Sequence, residues 1–246
     1  MRRSGFTLVE LLIVMGIVAI LTGMLMPALS NARKQARSTT CKAQLNQIGH
    51  AVALYRINHR ELLPACADYT GTQFFGLHKG PDEPVDFSQG YLSRYVGCEA
   101  DIWQCPSFTD FLPRADGPCT GYAYNYHYLT ELIEQGNWWD ADYKYWWRGK
   151  HESVIRAHTT TALFGDSARN WMGPLEENWF WTPPSEARMW PGWETAYTHF
   201  RHLMRANVVW ADGHVSGVEP HESVPLDKDL LGIMCDTTDY YFDPVQ

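Results

Sequence analysis

The sequence predicts an α+β protein in which one long amino-terminal helix packs on a small antiparallel-sheet, loop-rich head. Three observations lead there. Residues 6–29, FTLVELLIVMGIVAILTGMLMPAL, place Ala, Val, Ile, Leu, Met or Phe at 18 of 24 positions. Beyond them Ala32, Ala36, Leu45, Ile48, Val52 and Tyr55 keep a three-to-four spacing, which gives a helix one buried face. Further on, ANVVWADGHVSGV (206–218) sets two β-rich runs about an Asp-Gly pair, a favoured two-residue hairpin turn.

The elements follow in order. A helix over the apolar run rises about 36 Å, enough to cross a bilayer core. Pro27 lacks a backbone N–H and is expected to bend or loosen it. Arg33, Lys34, Arg37, Lys42 and Gln44 fall largely off the apolar face, and Gly49 weakens the helix slightly. The LLPA step and Pro64 end it near residue 62, predicting one helix of about 55 residues and about 80 Å. In the head, residues 63–246, TGYAYNYHY (120–128) reads as a strand and LTELIEQ (129–135) as a short helix. TTTALFGD (159–166) reads as a strand ending in a turn.

Composition bounds the function. The 246 residues suit one medium domain with an appendage, or at most two small domains. Lys plus Arg is 20 against 28 Asp plus Glu, a net charge of −8, so no nucleic-acid partner is expected. A mean hydropathy of −0.33 excludes a polytopic membrane protein but not a single span.

A secretory signal peptide fits the amino terminus poorly, because the apolar run is long and no small-residue cleavage site follows Leu29. A plain membrane anchor leaves Glu10 unexplained. A carboxylate in a membrane helix costs roughly 2.5–3.5 kcal/mol and usually marks a partner. Cutting after Gly5 would supply one, the α-amine of Phe6, from the same chain or a neighbour. GFTLVELLIVMGIVAIL, with its basic leader, resembles the signal of type IV pilins and type II secretion pseudopilins. The resemblance implies cleavage after Gly5 by a prepilin peptidase and N-methylation of Phe6. It also implies a role for Glu10 in subunit register and a proline, here Pro27, near the end of the run. Residues 1–5 are then a cytoplasmic leader, 6–29 the transmembrane helix and filament core, 30–62 its amphipathic extension, and 63–246 a periplasmic head. The implied place is the bacterial inner membrane, crossed once, and a filament after assembly. The implied partners are the peptidase, other pilin or pseudopilin subunits, an inner-membrane assembly platform and the lipid bilayer.

His202, nine residues, then Asp212 and Gly213 form the H-X9-DG signature of a group of pilin-like proteins. Cys41, Cys105–Pro106, YAYN (122–125) and Asp166 fit the same group. Two readings of Asp166, His202, Asp212 and His214 stand side by side. The structural one gives Asp212 and Gly213 to a turn and lets His202 bond the turn or Asp166. The other is a cation site, Ca²⁺ if oxygen ligands dominate and a transition metal if histidine joins. No cofactor is otherwise expected. Ser167 and Ser216 lie near these residues but in no nucleophile elbow, so no enzyme activity is expected.

Six cysteines allow fifteen pairings. Cys98 and Cys105 sit in one loop, and Cys41 is placed to staple the helix to it. Residues 137–149 hold four Trp and two Tyr, with Trp138, Trp139, Trp146 and Trp147 as candidates for a core, a subunit interface or a polysaccharide platform. The last makes the alternative function a membrane-anchored glycan-binding module. The acidic tail from Glu219 is expected to cap the head as a solvated surface.

Overall fold

The computed structural model describes residues 7–80, 83–98, 100–108, 120–137, 139–140, 142–170, 174–189, 197–223, 226–227, 229–235 and 238–245. Helix α1, Leu8–Asn58, has 51 residues and spans about 77 Å. It ends a turn before the expected position. Arg60 and Glu61 take left-handed φ values of 55° and 63°, which turns the chain ahead of Pro64. The His59 ring stacks on Tyr55 at 3.8 Å over this end. Ser38, Cys41, Leu45, Ile48, Val52 and Tyr55 form the buried face. Ala32 and Ala36, expected on that face, are exposed because the head begins only at Ser38.

The sheet strands are β1 (Tyr122–Tyr124), β2 (Thr130–Gln135), β3 (Lys144–Gly149), β4 (Ala162–Asn170), β5 (Leu175–Glu176), β6 (Tyr197–His199), β7 (Ala206–Trp210), β8 (Val215–Val218) and β9 (Leu231–Gly232). Among the described residues seven of them form one antiparallel sheet in the order β8-β7-β4-β6-β9, with β1 and β5 also on β4. β2 and β3 make a separate hairpin.

Three local expectations change. The 120–128 strand is only β1, because the chain turns at Asn125. That side chain donates to the carbonyls of Ala162 and Phe242, and a helical turn follows at Tyr126–Leu129. LTELIEQ is not a helix: after Leu129, which closes that turn, its residues form β2. Its Leu and Glu favour helix only weakly, and pairing Leu132 with Trp147, Ile133 with Trp146 and Glu131 with Arg148 overrides that preference. The 159–166 strand does not turn at Asp166 but runs on to Asn170.

The Asp-Gly hairpin forms, with a three-residue loop in place of two. Trp210 N–H donates to the His214 carbonyl at 3.0 Å and Gly213 N–H to the Trp210 carbonyl at 2.8 Å. Gly213 sits at φ 90°, the left-handed position such loops need. The tail keeps Glu219, Glu222 and Asp227 in solvent as expected, but it is more than a solvated surface. Asp239 is buried, accepts from the Ser185 N–H at 2.9 Å and from the Tyr128 hydroxyl at 2.7 Å, and β9 joins the sheet.

Both faces of β4 are covered. On one, Leu45, Ile48 and Val52 of α1 pack with Phe74, Trp103, Tyr124 and Phe164. On the other, Trp181, Phe200, Trp210 and Phe242 cluster, with Trp181 lying over Gly165. Gly49 is the point where α1 meets β7: a Cβ there would stand 2.7 Å from Val209 Cγ2. The residue expected to weaken the helix is what lets the helix dock. Gly49→Leu is therefore expected to lower head stability by about 1–3 kcal/mol through overpacking, read as a lower urea midpoint.

Candidate functional site

Two features of α1 stand out. The first is its amino-terminal arm. Every residue from Thr7 to Arg37 is exposed, although the arm contains the described helix segment long and apolar enough to cross a membrane. In water such a surface is unfavourable by about 25 cal/mol per Å² of apolar area. At its start Thr7 Oγ1 accepts from Glu10 N–H at 3.3 Å, and Glu10 Oε2 accepts from Thr7 N–H at 2.9 Å. This reciprocal box satisfies the open helix end. Pro27 lies inside the helix without ending it, leaving the Gly23 carbonyl without its usual N–H donor. Gly5 and Phe6 lie outside the described residues.

The second feature is where α1 is fastened to the head. A disulfide joins Cys41 to Cys105, with Cα atoms 5.4 Å apart. Beside it, His202 Nε2 stands 3.4 Å from Cys105 Sγ and 3.2 Å from Asp166 Oδ2. Arg201 Nη2 donates to Asp166 Oδ1 at 2.5 Å and to the Gly121 carbonyl at 2.6 Å. Asn207 N–H donates to Asp166 Oδ2 at 2.7 Å. Burial pushes the Asp166 carboxyl up, but Arg201, His202 and the Asn207 N–H outweigh it and hold it below the ordinary carboxylate range. Arg201 Nη1 also reaches His199 Nδ1 at 3.1 Å. Arginine only donates, so this nitrogen accepts. Burial and the adjacent guanidinium push the His199 imidazole down to about 3.

Residues 1–26 match the prokaryotic N-terminal methylation motif. The chain is 47% identical over 58 residues to the type IV wide pilus major component of Thermus thermophilus, covering 24% of this chain and 44% of that protein. It is 31% identical over 151 residues to the type II secretion system core protein G of Pseudomonas aeruginosa, covering 59% of this chain and 96% of that protein. The chain belongs to the type IV pilin and type II secretion pseudopilin family. The pilus component is thus matched over less than half its length, and the secretion protein over nearly all of it. No solved structure matches this pilin-family chain.

The head of this pilin-family member separates the signature residues. Asp166 and His202 meet, while Asp212 and His214 lie past the other end of β7, where Asp212 Oδ1 faces His214 Nδ1 at 2.6 Å. Their four side chains do not converge on one cation. The described cluster with metal-ligand spacing is Cys41, Cys105 and His202, but its two sulfurs are bonded to each other. Cys98 Sγ instead faces the Ser93 carbonyl. The Ser167 and Ser216 hydroxyls accept from Asn178 Nδ2 and Trp210 Nε1.

The tryptophans divide in the same way. Trp147 packs against the core, Trp146 lies edge-on to Tyr69, and Trp139 is 89% exposed; Trp138 lies outside the described residues. Arg201 and Asn207 are partners of Asp166 that sequence reasoning misses. The rule that a buried carboxylate needs a paired cation would have directed attention to Arg201, next to His202.

Proposed function

We propose that this chain is a filament subunit of a type IV pilus or type II secretion pseudopilus. It enters the inner membrane once with its head in the periplasm, and a prepilin peptidase cuts it after Gly5 and methylates Phe6. The exposed arm carries the reading. About two dozen residues of bare apolar helix, ending at Leu29, continue through a short polar stretch into a helix locked to the head. Lipid covers that surface before assembly, and neighbouring subunits' helices cover it afterwards. Glu10 then needs a positive partner in an apolar setting, and the new amine of Phe6, its own or a neighbour's, provides it. The work is associative, not catalytic. The Cys41–Cys105 bond favours an oxidising compartment for the head.

Intact mass and amino-terminal sequencing of protein from membranes, with and without a prepilin peptidase, test this directly. A chain beginning at Phe6 with one extra methyl is expected, and an uncut Met1 in the presence of the peptidase would overturn it. Glu10→Val is expected to leave insertion and head stability intact. It should lower the pelleted filament fraction by about tenfold or more, the scale of losing one desolvated charge pair.

A further inference from the structure

Five aromatic residues outside the assembly helix form a continuous wall on the head. Tyr145 meets Trp147 at 5.6 Å, Trp147 meets Tyr126 at 6.1 Å, Tyr126 meets Phe180 at 5.8 Å, and Phe180 meets Trp179 at 5.2 Å, all edge-on. Two cavities share Trp147 and Trp179 as lining. The larger, about 520 Å³, lies between the 67–73 turn and the β2–β3 hairpin. The smaller, about 200 Å³, is bounded by Tyr126, Trp147, Trp179 and Phe180. Together they have the size of an ordinary small-ligand site. Gln73, Asp142 and Lys144 bring polar groups to the larger one. Gln73 Oε1 is buried with no hydrogen-bond donor among the described residues, an unpaired acceptor behind this wall that a ligand hydroxyl meets only when the side chain turns outward. Asp68, also in the lining, is already engaged by the Thr70 and Thr72 N–H groups and the Tyr91 hydroxyl.

We propose that this groove binds a neutral polysaccharide, one or two pyranose rings at a time. A pyranose has an apolar C–H face and a rim of hydroxyls. Aromatic walls suit the first, and an amide, a carboxylate and an ammonium at the edge suit the second. A purely apolar peptide would leave Gln73 Oε1 unpaired, which is unfavourable for a buried acceptor. A polyanion would meet Asp68 and Asp142 against the single cation of Lys144 among the lining residues. The site lies on the head and uses none of the arm, so its failure would leave the filament reading standing.

Affinity electrophoresis tests it on the full chain in a polyoxyethylene detergent, which carries no sugar headgroup to compete. The gels contain dextran, hydroxyethyl cellulose, xylan or galactomannan. Retardation on at least one polysaccharide is expected, with apparent Kd raised about tenfold or more by Trp147→Ala, Tyr145→Ala and Gln73→Leu. Trp139→Ala, at a residue outside the lining, should bind as the parent does. Trp147 also packs on the core, so the Tyr145 and Gln73 variants, at residues outside the buried core, decide the outcome if Trp147→Ala fails to fold. No retardation on any polysaccharide, or retardation unchanged in both Tyr145→Ala and Gln73→Leu, would overturn the proposal.

Discussion

Asp166→Asn is expected to destabilise the head by about 3–5 kcal/mol, the usual result of stripping one partner from a buried ion pair. The carboxylate is fully buried, and the Arg201 side chain is only 4% exposed. The asparagine keeps the shape and can still accept from the Asn207 N–H. It leaves the guanidinium charge buried above the Phe108 ring, 4.9 Å away, with carbonyls and His199 as its remaining neighbours. Restoring neutrality with a second change, Arg201→Met, should recover much of the loss, because it is the orphaned charge that is unfavourable. A urea titration of the full chain in detergent reads both effects. Equal midpoints for parent and Asp166→Asn would show that the pair does not hold the head.

The same cluster makes stability depend on pH in two windows. His199 titrates near 6.5 when unfolded and near 3 when folded. Between those values the unfolded chain binds the extra proton, so stability falls as pH drops from about 6.5. Asp166 has its folded pKa lowered. Its contribution is complete above the unfolded value of about 3.9 and disappears as pH falls through the folded one. Acid midpoints should therefore decline from about pH 6.5 and more steeply below about pH 4, with the steeper part reduced in Asp166→Asn.

Removing the disulfide is the second large expected effect. Cys41 and Cys105 are 64 residues apart in sequence, and closing a loop of that length limits the unfolded chain by about 4 kcal/mol. Cys41→Ser is expected to lose an amount of that order. Treating the parent with dithiothreitol should lower its midpoint similarly, while the variant should not respond. The bond also joins the carboxyl-terminal half of α1 to the loop beneath it, next to His202. A weakened joint should lower pelleted filament more than it lowers membrane insertion, because pulling forces on the arm then reach the head through packing alone. A parent midpoint insensitive to reductant would remove this argument.

The sequence by itself determined what depends on one-dimensional pattern. The apolar arm and its glutamate, the long helix and the 206–218 hairpin were legible because helical and strand periods are local. Cys41 and Cys105 were legible as candidates but not as a pair, since pairing depends on how the helix meets the loop. Only the tertiary structure decided the rest. LTELIEQ became a strand because Trp146 and Trp147 lie opposite it, and a helix preference of tenths of a kcal/mol does not survive that contact. Asp166 and His202 came together while Asp212 went to the far hairpin end, because β7 runs between them. Gly49 changed from a weakness to a contact once Val209 was placed against it. Trp147 and Trp179, 32 positions apart in the sequence, share one groove for the same reason. Long-range packing brings them together, and no local period encodes it.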